Sequence, residues 1–274
     1  MKVASIQMSV VEGDKTATID KAVDNIQRCE GVDLVILPEI WNVGFMSFDR
    51  YVSEAEGRNG QTLTRLREAA QKIGVYLHTG SFVEKKNGNY YNSSYLISHD
   101  GDVLANYFKI HLFGYNSKET QILTSGDTVV AVETPIGKIG LATCYDLRFP
   151  ELFRAMAEEG TEIFLVCSAW PYPRLEHWLM LNRVRALENQ CFLMSSNSVG
   201  FNQGIQFVGH SMITDPWGTI LAGAGDKEVI IKSEINLADL ETARQQFPAL
   251  ADRKEWLKGA EEFECGSGNV ASGP

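Results

Sequence analysis

A four-layer α/β sandwich, with two sheets face to face and helices on their outer sides, is the fold class that this sequence predicts. Many short strand-like runs alternate with helical ones from the first residues onward. Runs such as VDLVILPE and TEIFLVCSA are apolar at successive positions, and a strand can afford that only when both of its faces are covered. No internal repeat and no Pro/Ser-rich linker divides residues 1 to 250, so the layers belong to one unit.

The elements follow in order. KVASIQMSV alternates with period two, a polar-apolar helix is expected near 14–29, and VDLVILPE reads as a buried strand. A second helix near 62–73 precedes VYLHTGSFV, after which YYNSSYLIS and VLANYFKIHL flank the turn HDGD. TVVAVETPIGKIGLATC makes two strands around residues 135–137, and a helix near 149–159 leads to TEIFLVCSA. After a longer helix near 175–189, CFLMSSNSV, QFVGHSMITD, TILAGAG and EVIIKSEINL read as four further strands, the last entering a helix near 237. The final GSGNVASGP is small and polar, so 259–274 is expected to be a disordered tail behind a domain spanning 1–258.

Composition narrows the function classes. In 274 residues, 25 basic side chains face 35 acidic ones, for a net charge of −10. That balance repels phosphate backbones and anionic lipid, which argues against a nucleic-acid or membrane partner. No run approaches the roughly 18 uninterrupted apolar residues of a membrane span, and the opening MKVASIQMSVVEGD lacks a signal-peptide core, so a cytoplasmic location is expected. Five cysteines without a C-x-x-C pair signal neither a disulfide framework nor a zinc knuckle, and the five histidines show no ligand spacing. No metal and no cofactor are expected. G-x-S-x-G, the phosphate-loop pattern and G-x-G-x-x-G after a strand are all missing.

Three reactive side chains stand at strand ends. Glu39 closes LVILPEI, where burial raises a carboxylate's pKa and suits it to proton transfer; alone it would pass for a capping acid. Lys109 sits in NYFKIHLF, where an ammonium is costly to bury unless paired; alone it would pass for an edge-strand lysine. Cys144 ends KIGLATC and alone would be a core filler. Their coincidence changes the reading, because a thiol near neutral pH needs a base and a nearby positive charge to become a nucleophile. No histidine shares their context, so a carboxylate base is expected.

With LVILPE, YFKIHLF and CYDLRFPELFR on the page, the chain resembles the nitrilase superfamily of carbon-nitrogen hydrolases over roughly residues 1–250. The resemblance implies an αββα sandwich, a Glu39-Lys109-Cys144 triad and a homodimer or larger homo-oligomer. It also implies a second glutamate, for which KETQILTSGD offers Glu119, otherwise a plain loop acid. Lys109 and the backbone N–H of Tyr145 are expected as oxyanion donors.

The tract from CYDLRFPEL to SAWPYPRLEHWLMLNRVRALENQ is similar to the ω-amidase branch, which hydrolyses monoamides of short dicarboxylates such as 2-oxoglutaramate. Arg148 has two readings, a clamp for a substrate carboxylate or a salt bridge to Asp146 or Glu151. Trp170 and Tyr172 are candidate pocket walls or plain core. Arg183 and Arg185 with Glu188 are read as helix-surface pairing. A deaminated-glutathione amidase, an N-carbamoyl amidohydrolase and a non-catalytic binding subunit are the alternatives.

Overall fold

The computed structural model describes residues 1–254; the tail expected over 259–274, together with Cys265, lies outside them. The first half supplies β1 (Lys2–Gln7), α1 (Lys15–Gln27), β2 (Leu34–Ile36), α2 (Gln61–Ile73), β3 (Tyr76–Lys86), β4 (Asn89–Ile97) and β5 (Val103–Phe108). A four-residue helix, α3 (Glu119–Ile122), leads to β6 (Ala131–Val132), β7 (Ile139–Thr143), α4 (Pro150–Glu158), β8 (Ile163–Ser168), α5 (Leu175–Asn189) and β9 (Phe192–Asn197). The chain closes with β10 (Val199–Asn202), β11 (Ile205–Val208), β12 (Met212–Thr214), β13 (Ile220–Gly223), β14 (Val229–Glu234) and α6 (Leu237–Gln246).

Two six-stranded sheets result, ordered β14-β1-β2-β3-β4-β5 and β13-β12-β9-β8-β7-β6. Each has three parallel strands, β1-β2-β3 in one and β7-β8-β9 in the other, extended by antiparallel neighbours. The apolar runs explain the layering. Leu34 and Ile36 face the gap between the sheets, as do Ile163 and Leu165. Val35 and Leu37 turn instead toward α1 and α2, and Phe164 and Val166 toward α4 and α5. Successive strand residues point to opposite faces, so a strand covered on both sides has no polar face to show.

Local chemistry sets the helix limits. Asp14 caps α1 by accepting from the Ala17 N–H at 2.9 Å. Gly74 ends α2 in the left-handed region at φ 70°, and Pro150 opens α4, where a missing N–H leaves no bond unmade. Among the described residues no helix is long and apolar enough to cross a membrane.

The structure departs from expectation at two strands. QFVGHSMITD divides into β11 and β12 at Gly209 and His210, both left-handed, and CFLMSSNSV divides into β9 and β10 at Ser198. The Asn197 side chain is the cause: it donates to the Gly209 carbonyl at 2.6 Å and accepts from the Trp170 N–H at 2.8 Å. Those bonds draw the chain out of the sheet, and β10 and β11 pair as a separate hairpin. Arg185 pairs with Glu188 at 2.6 Å as expected, whereas Arg183 donates to the Gly218 carbonyl instead. Residues five apart on a helix do not share a face.

Candidate active site

Glu39 follows β2, Lys109 follows β5 and Cys144 follows β7, so the site lies where strand ends of both sheets meet. Lys109 is fully buried, with its Nζ 2.7 Å from Glu39 Oε1 and 3.0 Å from each oxygen of Glu119. Burial opposes its charge, but Glu119 and then Glu39 outweigh that and hold the ammonium well above its ordinary range. Burial pushes the Glu119 carboxyl up, Lys109 pulls it back, and Glu39 raises it again, so that it ends above the usual carboxylate range.

Glu39 also joins the two sheets. Its Oε2 accepts from the Ala169 N–H at 2.9 Å, and its own N–H donates to the Ser168 carbonyl, both at the end of β8. The turn that carries it depends on Gly80, which is left-handed at φ 63° and so close that a Cβ there would stand 2.0 Å from the Pro38 carbonyl oxygen.

Cys144 begins a 3-10 turn (Cys144–Arg148) with φ 48°, unusual for a residue bearing a side chain. Asp146 holds this turn. It accepts from the Thr143 N–H at 2.9 Å, from the Tyr107 hydroxyl at 2.7 Å and from the His111 N–H at 3.0 Å. The His111 ring lies 2.7 Å from the same carboxylate and stacks on Phe149. Tyr107 and His111 flank Lys109, so Asp146 fastens the cysteine turn to the lysine segment. Burial, then the Glu39 charge, push the Cys144 thiol well above its ordinary value, against Lys109.

A narrow cleft opens onto Cys144, walled by Phe45, Phe113, Tyr145 and Trp170. Arg148 lines it too. The salt bridge considered for Arg148 is not formed, because Asp146 is engaged by Tyr107 and His111; Arg148 instead donates to His177 Nδ1 at 3.1 Å and lies over Trp170. Tyr172 is a correction: it is 37% exposed and absent from the cleft lining, where Pro171 and Arg174 stand. Its N–H pairs with the Gln206 carbonyl of β11, which turns this residue to the hairpin.

Several residues of the site were not evident from the sequence. Asn92 donates from one nitrogen to Glu39 Oε1 and Glu119 Oε1, each at 2.8 Å. Its signal was an amide within a strand that should be buried. Asp146 in the sequence offers only a partner for Arg148, and nothing in the spacing of His111 or Arg174 points to the site. Among the described residues, no group of three or more His, Cys, Asp or Glu is placed to hold a metal ion.

The family model for carbon-nitrogen hydrolases matches residues 2–245. The chain belongs to the carbon-nitrogen hydrolase family. It is 36% identical to 2-oxoglutaramate amidase of Paenarthrobacter nicotinovorans over 93% of this chain and 90% of that one. The Bacillus subtilis 2-oxoglutaramate amidase is 34% identical over 93% and 98%, and human omega-amidase 32% over 95% and 97%. Among solved structures, a CN-hydrolase superfamily protein of Xanthomonas campestris superposes with a TM-score of 0.88 at 28% identity, covering 94% of this chain and 99% of its own. Nit3 of Saccharomyces cerevisiae, of branch 10 of the nitrilase superfamily, gives 0.86 at 31% over 93% and 97%. This carbon-nitrogen hydrolase is thus an amidohydrolase acting on non-peptide amides, with the αββα fold of the nitrilase superfamily.

Proposed function

We propose that this carbon-nitrogen hydrolase cleaves the ω-amide of a short dicarboxylate, of the kind exemplified by 2-oxoglutaramate, through a thioester on Cys144. The observation that carries the chemistry is Lys109 held between Glu39 and Glu119 beside a cysteine on a left-handed turn. The arginine beside that cysteine and the names of the relatives support the substrate class.

Glu39 takes the thiol proton as Sγ bonds to the amide carbon, and the carbonyl electrons move to oxygen. Lys109 and the Tyr145 N–H stabilise that oxyanion, at about 3–4 kcal/mol for a well-placed donor. The oxyanion collapses, the C–N bond breaks, and Glu39 returns the proton to nitrogen, which leaves as ammonia. Water then gives a proton to Glu39 while its oxygen bonds to the thioester carbon; the C–S bond breaks and the sulfur regains the proton. Burial and the Glu39 charge favour the thiol over the thiolate, so the attack needs a base beside the sulfur. Glu119 keeps Lys109 oriented.

An ammonia-release panel tests the reading, comparing 2-oxoglutaramate, succinamate, carbamoyl amino acids and simple nitriles. Mass spectrometry of enzyme quenched during turnover is expected to find an acyl group on Cys144. Faster release from carbamoyl amino acids than from the ω-amides would overturn the substrate class, and Cys144→Ala turning over near the parent rate would overturn the nucleophile.

A further inference from the structure

Two guanidinium groups converge on the Cys144 cleft, and no carboxylate among the described residues pairs with either. Arg148 Cζ lies 4.8 Å from the centre of the Trp170 ring and 5.9 Å from that of Tyr145. Arg174, just before α5, lies 5.5 Å over Phe113. All three rings line the same cleft as the two arginines. An aromatic face fixes the plane of a guanidinium without cancelling its charge. Among the described residues neither arginine forms a salt bridge. The site's own carboxylates, Glu39 and Glu119, are fully buried and already hold Lys109. Burial pulls Arg148 below its ordinary value, and the like charge of Arg174 adds to that, against Tyr145 and Cys144. Two uncompensated cations in one small cleft suit an anionic ligand and oppose a cationic one.

Resting on the ω-amide reading above, we infer that Arg174 works with Arg148 as a paired-guanidinium clamp that admits ω-amides ending in a carboxylate or 2-oxo carboxylate and rejects those carrying an α-ammonium. The comparison that matters is 2-oxoglutaramate against glutamine, which share chain length, amide and terminal carboxylate and differ only at C2. A 2-oxo oxygen accepts a hydrogen bond from a guanidinium beside the one that takes the carboxylate. An ammonium at that carbon meets two positive charges, and the rest of the cleft wall, made of aromatic rings, Cys144, Ala169 and Pro171, offers it no carboxylate. Selection against glutamine is therefore built as repulsion, and Arg174 is its specificity-determining residue.

The test measures kcat/KM for 2-oxoglutaramate, succinamate, glutamine and butyramide in the parent enzyme, Arg174→Gln and Arg174→Met. The ratio of 2-oxoglutaramate to glutamine is expected to fall by about 10- to 100-fold in both variants, mostly through KM, as befits a lost charged hydrogen bond. A ratio that stays within about twofold would overturn the clamp, since charge-assisted bonds are worth more than that. If the parent enzyme releases ammonia from butyramide but from no acid amide, the ω-amide reading fails by itself. Protection of Cys144 from iodoacetamide by glutarate then tests the clamp without turnover. Arg174→Gln is expected to need about tenfold more glutarate for equal protection; equal protection in both, or none in the parent enzyme, would overturn the clamp.

Discussion

The Asn92 side-chain amide donates to Glu39 Oε1 at 2.8 Å, and the same nitrogen reaches Glu119 Oε1 at 2.8 Å. One neutral donor thus holds two buried carboxylates that share a single ammonium. Replacing it with leucine leaves both acids one bond short, at a cost of about 1–3 kcal/mol in stability. Asn92→Leu is expected to lower kcat by about 10- to 100-fold with a smaller effect on KM. Asn92→Asp, which adds a third acid, should move the acid limb of the pH-rate profile upward. A structural role alone would leave the position of that limb unchanged in both variants.

The backbone at Cys144 carries its own prediction. At φ 48° a side chain crowds the following carbonyl, and glycine does not. Cys144→Gly and Cys144→Ala should both be folded and release no ammonia. The glycine variant should be the more stable by about 1 kcal/mol, read from chemical denaturation; a more stable alanine variant would contradict the strain argument.

Glu39 has two separable effects on the thiol. Its charge is, after burial, the main influence that raises the Cys144 pKa, and in the proposed mechanism its oxygen is the base. Glu39→Gln is therefore expected to lose ammonia release by about a thousandfold or more, while the pH midpoint for Cys144 alkylation moves down. An unmoved midpoint would show that the carboxylate does not act on the sulfur.

Stability should peak in a defined pH window. The His78 imidazole, fully buried, is lowered from 6.5 to about 3 by loss of solvent. Its neutral form is favoured in the folded state, so stability is present above pH 6.5 and is lost as pH falls toward about 3. Cys167 and Cys191 are raised from 9.0 to about 12, chiefly by burial. Their contribution is full below pH 9.0 and is lost as pH rises toward about 12. Denaturation midpoints across pH should be highest between those limits, and Cys167→Ala should flatten the alkaline limb. A limb of equal slope in that variant would remove Cys167 from the account.

Parts of this molecule were readable residue by residue. β2 and β8 were legible because a strand covered on both sides has an unmistakable composition, and Glu39, Lys109 and Cys144 stood out because each stands at the end of a strand-like run. β10 and β11 were not, since the break at Ser198 is made by Asn197 reaching a carbonyl 12 residues away. Glu119 carried no local sign of burial; its polar neighbours describe a solvated loop, and only the buried ammonium at Lys109 draws it inward.

By itself the sequence determined the alternation of strands and helices, the double-sided burial of the central strands and the three reactive side chains at strand ends, because periodicity and composition are local properties. Only the tertiary structure decided how those ends converge. Asn92 meets Glu39 across 53 positions, Asp146 meets His111 across 35, and Arg174 settles on Phe113. Such pairings depend on how two sheets face one another, and the distance along the chain between their members leaves no periodic trace that would announce them.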